Sequence, residues 1–233
     1  MKNLIFICVA FLLIISACKR DEYFEDGGVA EAKFNGDMLQ YLESKPVPFD
    51  TIAQIVKLAG LEETFRKDSL TFFAPTDEYI KYTIGTVNTF GINWQLRLLG
   101  KDTIETLSDI SPDTWRRYLE RYMFRGKNLL KDYPQVDLQQ LRMFPGQLYF
   151  SYNRTLFNIG VVYNESNGVQ YLGYRQLVLS YVPDPSNPDQ NWYVNRISSS
   201  DIQPNNGIVH SLRYNGELFG FDTEFMTEVV ESR

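Results

Sequence analysis

Residues 70–80, Leu-Thr-Phe-Phe-Ala-Pro-Thr-Asp-Glu-Tyr-Ile, decide how the chain is organised. Leu70 to Ala74 is an aromatic-rich apolar run of strand length, the pattern of a buried strand. Pro75 ends it, because proline offers no N–H to a sheet ladder. Thr76 is placed to cap a helix, with Asp77 and Glu78 in the first turn, where carboxylates face the positive end of the helix dipole. A buried strand that runs straight into a capped helix joins two layers of one domain.

On the N-terminal side, Asp37 can cap a short helix carrying Met38, Leu39, Tyr41 and Leu42, which Pro46 and Pro48 break. Asp50 is then expected to cap a second helix with Ile52, Ile55, Val56 and Ala59 at helical spacing, closed by Gly60. On the C-terminal side, Lys81 to Asp109 mixes Gly85, Gly91 and Gly100 with Trp94, Leu96, Leu98 and Leu99, which reads as helical pieces and loops. Ser111 and Pro112 open a clearer helix, with Trp115, Leu119, Tyr122 and Met123 on one face and Gly126 at its end.

From Gln147 the pattern turns to β. Leu148, Phe150 and Tyr152 alternate with Tyr149, Ser151 and Asn153, and further strands are expected at Thr155–Tyr163, Val169–Tyr171, Tyr174–Val182 and Trp192–Ile197. Residues 183–191 hold three prolines among Asp, Ser and Asn, so they form a loop, and the flanking strands read as a long hairpin. Asn206-Gly207 is a tight-turn signal feeding a strand from Ile208 to Leu212. Leu218 to Phe221 reads as a final strand, and Asp222 to Arg233 as a polar tail of weak helical character.

Phe73, Ala74, Pro75, Thr76 and Asp77 resemble the first signature box of the fasciclin domain, and Asn206, Gly207 and His210 resemble its second. Ser211-Leu212-Arg213 stands where the family usually continues with Ile-Asp, and Tyr122-Met123 where it has a Tyr-His pair. The resemblance implies one α+β domain over residues 34–221. It would be a β-sheet wedge or sandwich with several helices packed against it, here with a longer aromatic hairpin. It also implies a non-enzymatic role in adhesion or interaction with protein or glycan partners.

The N-terminus carries a different message. Lys2 precedes an almost unbroken apolar run from Leu4 to Ile15, too short for a comfortable membrane span. Ile15-Ser16-Ala17-Cys18 resembles a bacterial lipobox. Residues 1–17 then read as a lipoprotein signal peptide, Cys18 as the lipidated residue, and residues 18–33 as a flexible tether ending near Gly27-Gly28. The acidic residues after Cys18 are similar to surface-export signals of some Gram-negative lipoproteins, and a solvated linker explains them equally well. The expected place is the cell envelope, attached to the outer membrane through lipid and exposed at the surface. Accessory service to an outer-membrane glycan-uptake system fits that place.

Cleavage before Cys18 removes one of 23 basic residues and none of 29 acidic ones, moving the net charge from −6 to −7. That balance excludes an ordinary nucleic-acid partner, which rewards concentrated Lys and Arg. Cys8 falls in the cleaved run, so the processed chain keeps no thiol for a disulfide, a zinc site or a nucleophile. His210 is the single histidine and lies in an apolar strand, where a hydrogen-bonded core role is the expectation. No Gly-x-Ser-x-Gly elbow occurs. No catalytic residue, metal ligand or cofactor is therefore expected, and the alternative is an envelope hydrolase of glycosidase type built on paired carboxylates. Asp184, Asn187, Asp189 and Asn191 suit turn chemistry better than a calcium loop, lacking its central Gly and terminal Glu. Tyr174, Tyr181, Trp192 and Tyr193, on or beside the hairpin, are the candidate binding residues, since planar rings offer apolar platforms to sugars or interface anchors to proteins.

Overall fold

The computed structural model describes residues 32–233; the signal-peptide, lipobox and most of the tether expectations lie outside the described residues. Among the described residues no helix is long and apolar enough to cross a membrane. The class is α+β. Its frame is a seven-stranded sheet of β1 (Leu70–Ala74), β2 (Met123–Arg125), β3 (Gln147–Phe150), β4 (Leu156–Tyr163), β5 (Arg175–Tyr181), β6 (Tyr193–Ile202) and β7 (Gly207–Leu212). Their order is β2-β1-β7-β6-β5-β4-β3. Only β1 and β7 run parallel, with Leu70 opposite Gly207 and Phe73 opposite His210.

The expected wedge or sandwich is one connected sheet that changes partner along β6. Tyr193 to Arg196 pair with β5, whereas Ile197 to Ile202 pair with β7 through two register shifts. Such irregularities bend a strand and increase its twist. Asp201 lies in this bulged segment with φ 63°.

The helices are α1 (Met38–Glu43), α2 (Pro46–Leu58), α3 (Glu62–Lys67), α4 (Asp77–Ile84), α5 (Ile92–Leu98), α6 (Pro112–Leu119) and α7 (Thr223–Glu231). All five residues of β1 are buried, and the core is dense in rings, including Phe72, Phe73, Trp115, Tyr118, Tyr122, Phe221 and Phe225. Odd-numbered side chains of β4 and β5, such as Phe157, Ile159, Leu177 and Leu179, join this core. Their even-numbered neighbours face the other side of the sheet, as the pleat requires.

Several expectations change. The helix from Pro112 stops at Leu119, a 3-10 turn covers Glu120–Tyr122, and Met123 begins β2 rather than sharing a helical face. Val169–Tyr171 is not a strand, and Tyr171 has φ 66°. Leu218–Phe221 is not a strand either; Phe219 and Phe221 are core rings on an irregular segment. The long hairpin is β4–β5, paired from Phe157/Tyr181 to Tyr163/Arg175, while β5–β6 pairs over only Val178/Arg196 to Tyr181/Tyr193. Residues 222–233 are no mere tail, because α7, capped by the Asp222 side chain, buries Phe225, Met226, Val229 and Val230.

Candidate functional site

The two motif segments become neighbours. Because β1 and β7 are parallel and in register, Phe73 lies beside His210, with ring centroids 5.0 Å apart. His210 is fully buried. Its Nε2 donates to the Asn128 carbonyl at 3.0 Å, and its Nδ1 accepts from the Asp201 N–H at 3.2 Å, so the neutral Nε2–H tautomer satisfies both contacts. Burial pushes the imidazole down to about 4, outweighing the Asn128 hydrogen bond and the Asp201 carboxylate 3.9 Å away. The side chain is a bolt between β7, the bulge of β6 and the segment after β2.

Asp77 and Asn206 do comparable work at helix ends. Asp77 Oδ1 accepts from the Thr51 and Ile52 N–H groups at 3.0 and 3.3 Å, meeting first-turn donors of α2 beyond its kink at Val47 and Pro48. The expected cap, Asp50, instead takes a hydrogen bond from Gln54. Burial raises the Asp77 carboxyl, and the two backbone donors pull it partly back. Thr76 holds the N-cap position of α4 by backbone, but its hydroxyl makes no capping bond and is buried without a partner. Pro75 and Ala74 hold the junction between β1 and α4.

Asn206 Oδ1 accepts from the Met38 N–H at 2.8 Å, while its Nδ2 donates to the Phe65 and Asp68 carbonyls at 2.9 and 3.0 Å. One amide thus closes the start of α1 and the end of α3. The tight turn spans Pro204–Gly207, closed by Gly207 N–H to the Pro204 carbonyl, so Asn206-Gly207 is its second half. Gly207 is not among the glycines with positive φ. A Cβ there would overlap the Leu70 carbonyl oxygen and Met38 Cε, so close packing requires the glycine. These motif residues build the domain; none lines a groove as an exposed reactive group.

The aromatic candidates do not form one cluster. Tyr181 and Tyr193 are directly paired across β5 and β6, stacked at 6.0 Å with planes 24° apart. Tyr181 is half-buried against Phe157, whereas Tyr193 is 59% exposed. They line a groove of about 410 Å³ with Pro183, Phe219, Asp222 and Glu224. Trp192, one residue earlier, turns to the opposite sheet face and lines a separate 290 Å³ hollow with Pro145 and Asn158. Its indole N–H is fixed on the Pro188 carbonyl at 2.7 Å. Tyr174 is exposed at the far end of the β4–β5 hairpin, where its carbonyl receives the Asn164 N–H.

The carboxylates beside the tyrosine groove are engaged. Asp222 Oδ1 accepts from the Glu224 and Phe225 N–H groups as the cap of α7. Glu224 pairs with Arg121 at 2.8 Å, and the Arg121 guanidinium lies over the Tyr118 ring. Asp184 receives hydrogen bonds from the Ser186 N–H and the Asn187 amide, the turn chemistry expected of the proline-rich loop. Among the described residues no group of three His, Cys, Asp or Glu side chains could hold a metal ion.

The exposed apolar residues around α5 had no assigned role in the sequence. Phe90, Leu98 and Leu99 are at least half exposed, and Val87 and Trp94 somewhat less. Their signal was present in an interval too rich in glycine to give one clear period.

No family model matches this chain, and no curated protein matches it. Among solved structures, it is similar to one reported as the novel fold of a FAS1 domain pair from the insect cell adhesion molecule fasciclin I. The identity is 17% and the TM-score 0.45, over 82% of this chain and 52% of that one. This chain therefore spans about half the length of that domain pair. The α+β class rests on the sheet and helices themselves.

Proposed function

We propose that this chain is a non-enzymatic, lipid-anchored interaction module of the cell envelope that holds a glycan or protein partner in the Tyr181–Tyr193 groove. The supporting observation is the stacked tyrosine pair, with one ring mostly exposed, beside the carboxylates of Asp222 and Glu224. An aromatic face suits the C–H face of a sugar ring, and rim carboxylates accept its hydroxyl hydrogens. The same carboxylates serve as helix cap and ion-pair partner, a use that favours holding over acid catalysis. Cys18 would supply the attachment, and accessory service to an outer-membrane glycan-uptake system fits such a binder.

Capture from intact envelopes, followed by mass spectrometry, tests the reading alongside glycan-array binding. Tyr193→Ala should lose most of the captured partner while keeping its melting temperature. Equal capture by wild type and Tyr193→Ala would overturn the groove assignment. New reducing ends released from an array glycan would establish the paired-carboxylate hydrolase instead.

A further inference from the structure

The hollow beside Trp192 contains a buried polar atom with nothing in the chain to meet it. Asn158 lies on the sheet face away from the ring-rich core, between Leu148 of β3 and Ser180 of β5, and is only 3% exposed. Its Nδ2 donates to the Pro145 carbonyl at 2.9 Å. A carbonyl can take only the NH2 end of the amide, so this bond fixes which way the side chain lies. Oδ1 is the end left over, and among the described residues it is buried without a hydrogen-bond partner. Folding rarely leaves an acceptor so, because it gives up its water and receives no bond in exchange.

The walls around Asn158 are as particular as the atom. Gly146 lines the same hollow with φ 65°, and a Cβ there would overlap Asn158 Oδ1. Glycine therefore answers two needs at once, a left-handed backbone and open space over the amide. Trp192 is half-buried in another wall. Its indole N–H is already spent on the Pro188 carbonyl, so the ring offers the hollow carbon and π surface only. Arg142 and Asp189, both exposed, stand at the rim as one donor group and one acceptor group with no net charge between them.

We infer that this hollow is a binding site for one neutral pyranose ring, seated on Trp192 and donating a hydroxyl hydrogen to Asn158 Oδ1. The site asks its ligand for an apolar face, a donor at depth, and rim groups able both to give and to accept. A sugar ring meets all three: its C–H face suits an indole, and each hydroxyl is donor and acceptor together. Because Arg142 and Asp189 oppose each other in sign, nothing selects for a net charge on the ligand. At about 290 Å³ the hollow is at the small end of ligand sites, which suits a single ring. It occupies the sheet face opposite the Tyr181–Tyr193 groove and stands whether or not that groove binds.

The test titrates the full chain with the methyl glycosides of glucose, galactose, mannose and N-acetylglucosamine and follows tryptophan emission. Wild type minus Trp192→Phe isolates the Trp192 signal from that of Trp94 and Trp115. The expected result is a saturable change in Trp192 emission with at least one glycoside. Asn158→Leu, close to Asn in size but without the acceptor, should weaken that response at least tenfold. Asp189→Ala and Arg142→Ala, at the exposed rim, should each weaken it several-fold while melting as wild type does, and they decide the matter if Asn158→Leu fails to fold. Tyr193→Ala should leave the response unchanged. No saturable response to any of the four glycosides would overturn the site, as would equal affinity in wild type and a folded Asn158→Leu, or in wild type and both rim variants. A response abolished by Tyr193→Ala would place the sugar in the tyrosine groove and also overturn it.

Discussion

The β1–β7 seam and the β5–β6 end of the same sheet are built on opposite terms. At the seam, Asp77, Asn206 and His210 each join two or more backbone groups from distant segments. At the β5–β6 end, Tyr181 and Tyr193 stack on one face, Trp192 occupies the other, and Tyr174 lies beyond the hairpin. Asp77, Asn206 and His210 are each held by the backbone groups they meet, so a place in the motif fixes a residue's surroundings. Aromatic density does not, because adjacent strand residues point to opposite faces.

The sharpest way to break this contrast is Gly207→Val. Its side chain must displace the Leu70 backbone and Met38, so destabilisation should reach or exceed the upper end of the about 1–3 kcal/mol typical of overpacking. Gly60→Ala is a useful control, with open space at its Cβ but φ 65°. A Gly207→Val melting curve equal to wild type would remove the close-packing account.

His210 gives the next effect, and its sign is fixed by burial. Above pH about 6.5 the imidazole is neutral in both folded and unfolded chains. As pH falls from there, the unfolded chain binds a proton that the native one resists until about pH 4. Stability is therefore fully present above pH about 6.5 and declines towards pH 4, by about 3 kcal/mol from this group. Urea melts across that interval should show a shallower slope for His210→Ala than for wild type, on a lower baseline. Parallel slopes would break the link between this imidazole and acid sensitivity.

Asp77→Ala should cost about 1–2 kcal/mol through the unmet first-turn donors of α2, whereas Asp50→Ala should cost less, reversing the expectation from sequence. Equal losses in thermal melts would refute the reassigned cap. Tyr193→Ala should change stability least, by within about 0.5 kcal/mol, because the ring is mostly in solvent. A large fall in its melting temperature would mean that this end of the sheet is as structural as the seam.

Legibility in the sequence follows the same division. Leu70–Ala74 could be read because every residue is apolar or β-branched and a proline stops it, and α6 because Ser111 and Pro112 mark its start. Asp37 was legible for the same reason, and its capping box with Gln40 is present. The helix beyond Asp222 reads weakly in sequence, since its apolar face consists of only Phe225, Met226, Val229 and Val230 among polar neighbours. Met123 reads as helical in sequence because apolar residues after a helix look periodic whether or not hydrogen bonding continues. The cap of α2 lay hidden for a stronger reason: Asp77 is 26 residues from Thr51, and no local pattern records such a contact. The tyrosine groove likewise needs the β5–β6 register and the chain from Leu218 to Glu224, which meet only in three dimensions.

The way the chain enters the domain has a mechanical consequence. Gln203 N–H donates to the Ala32 carbonyl, Phe34 N–H to the Gln203 carbonyl, and Asn205 N–H to the Gly36 carbonyl, so the first described residues run along the turn between β6 and β7. Tension applied through the preceding residues would fall first on these three hydrogen bonds. Their rupture would lengthen the leash while Asn206, next in line, still clamps α1 and α3. The domain thus has a sacrificial fastening in front of its structural one: pulled from its N-terminal side, it yields a few residues of slack and can re-zip without exposing its core.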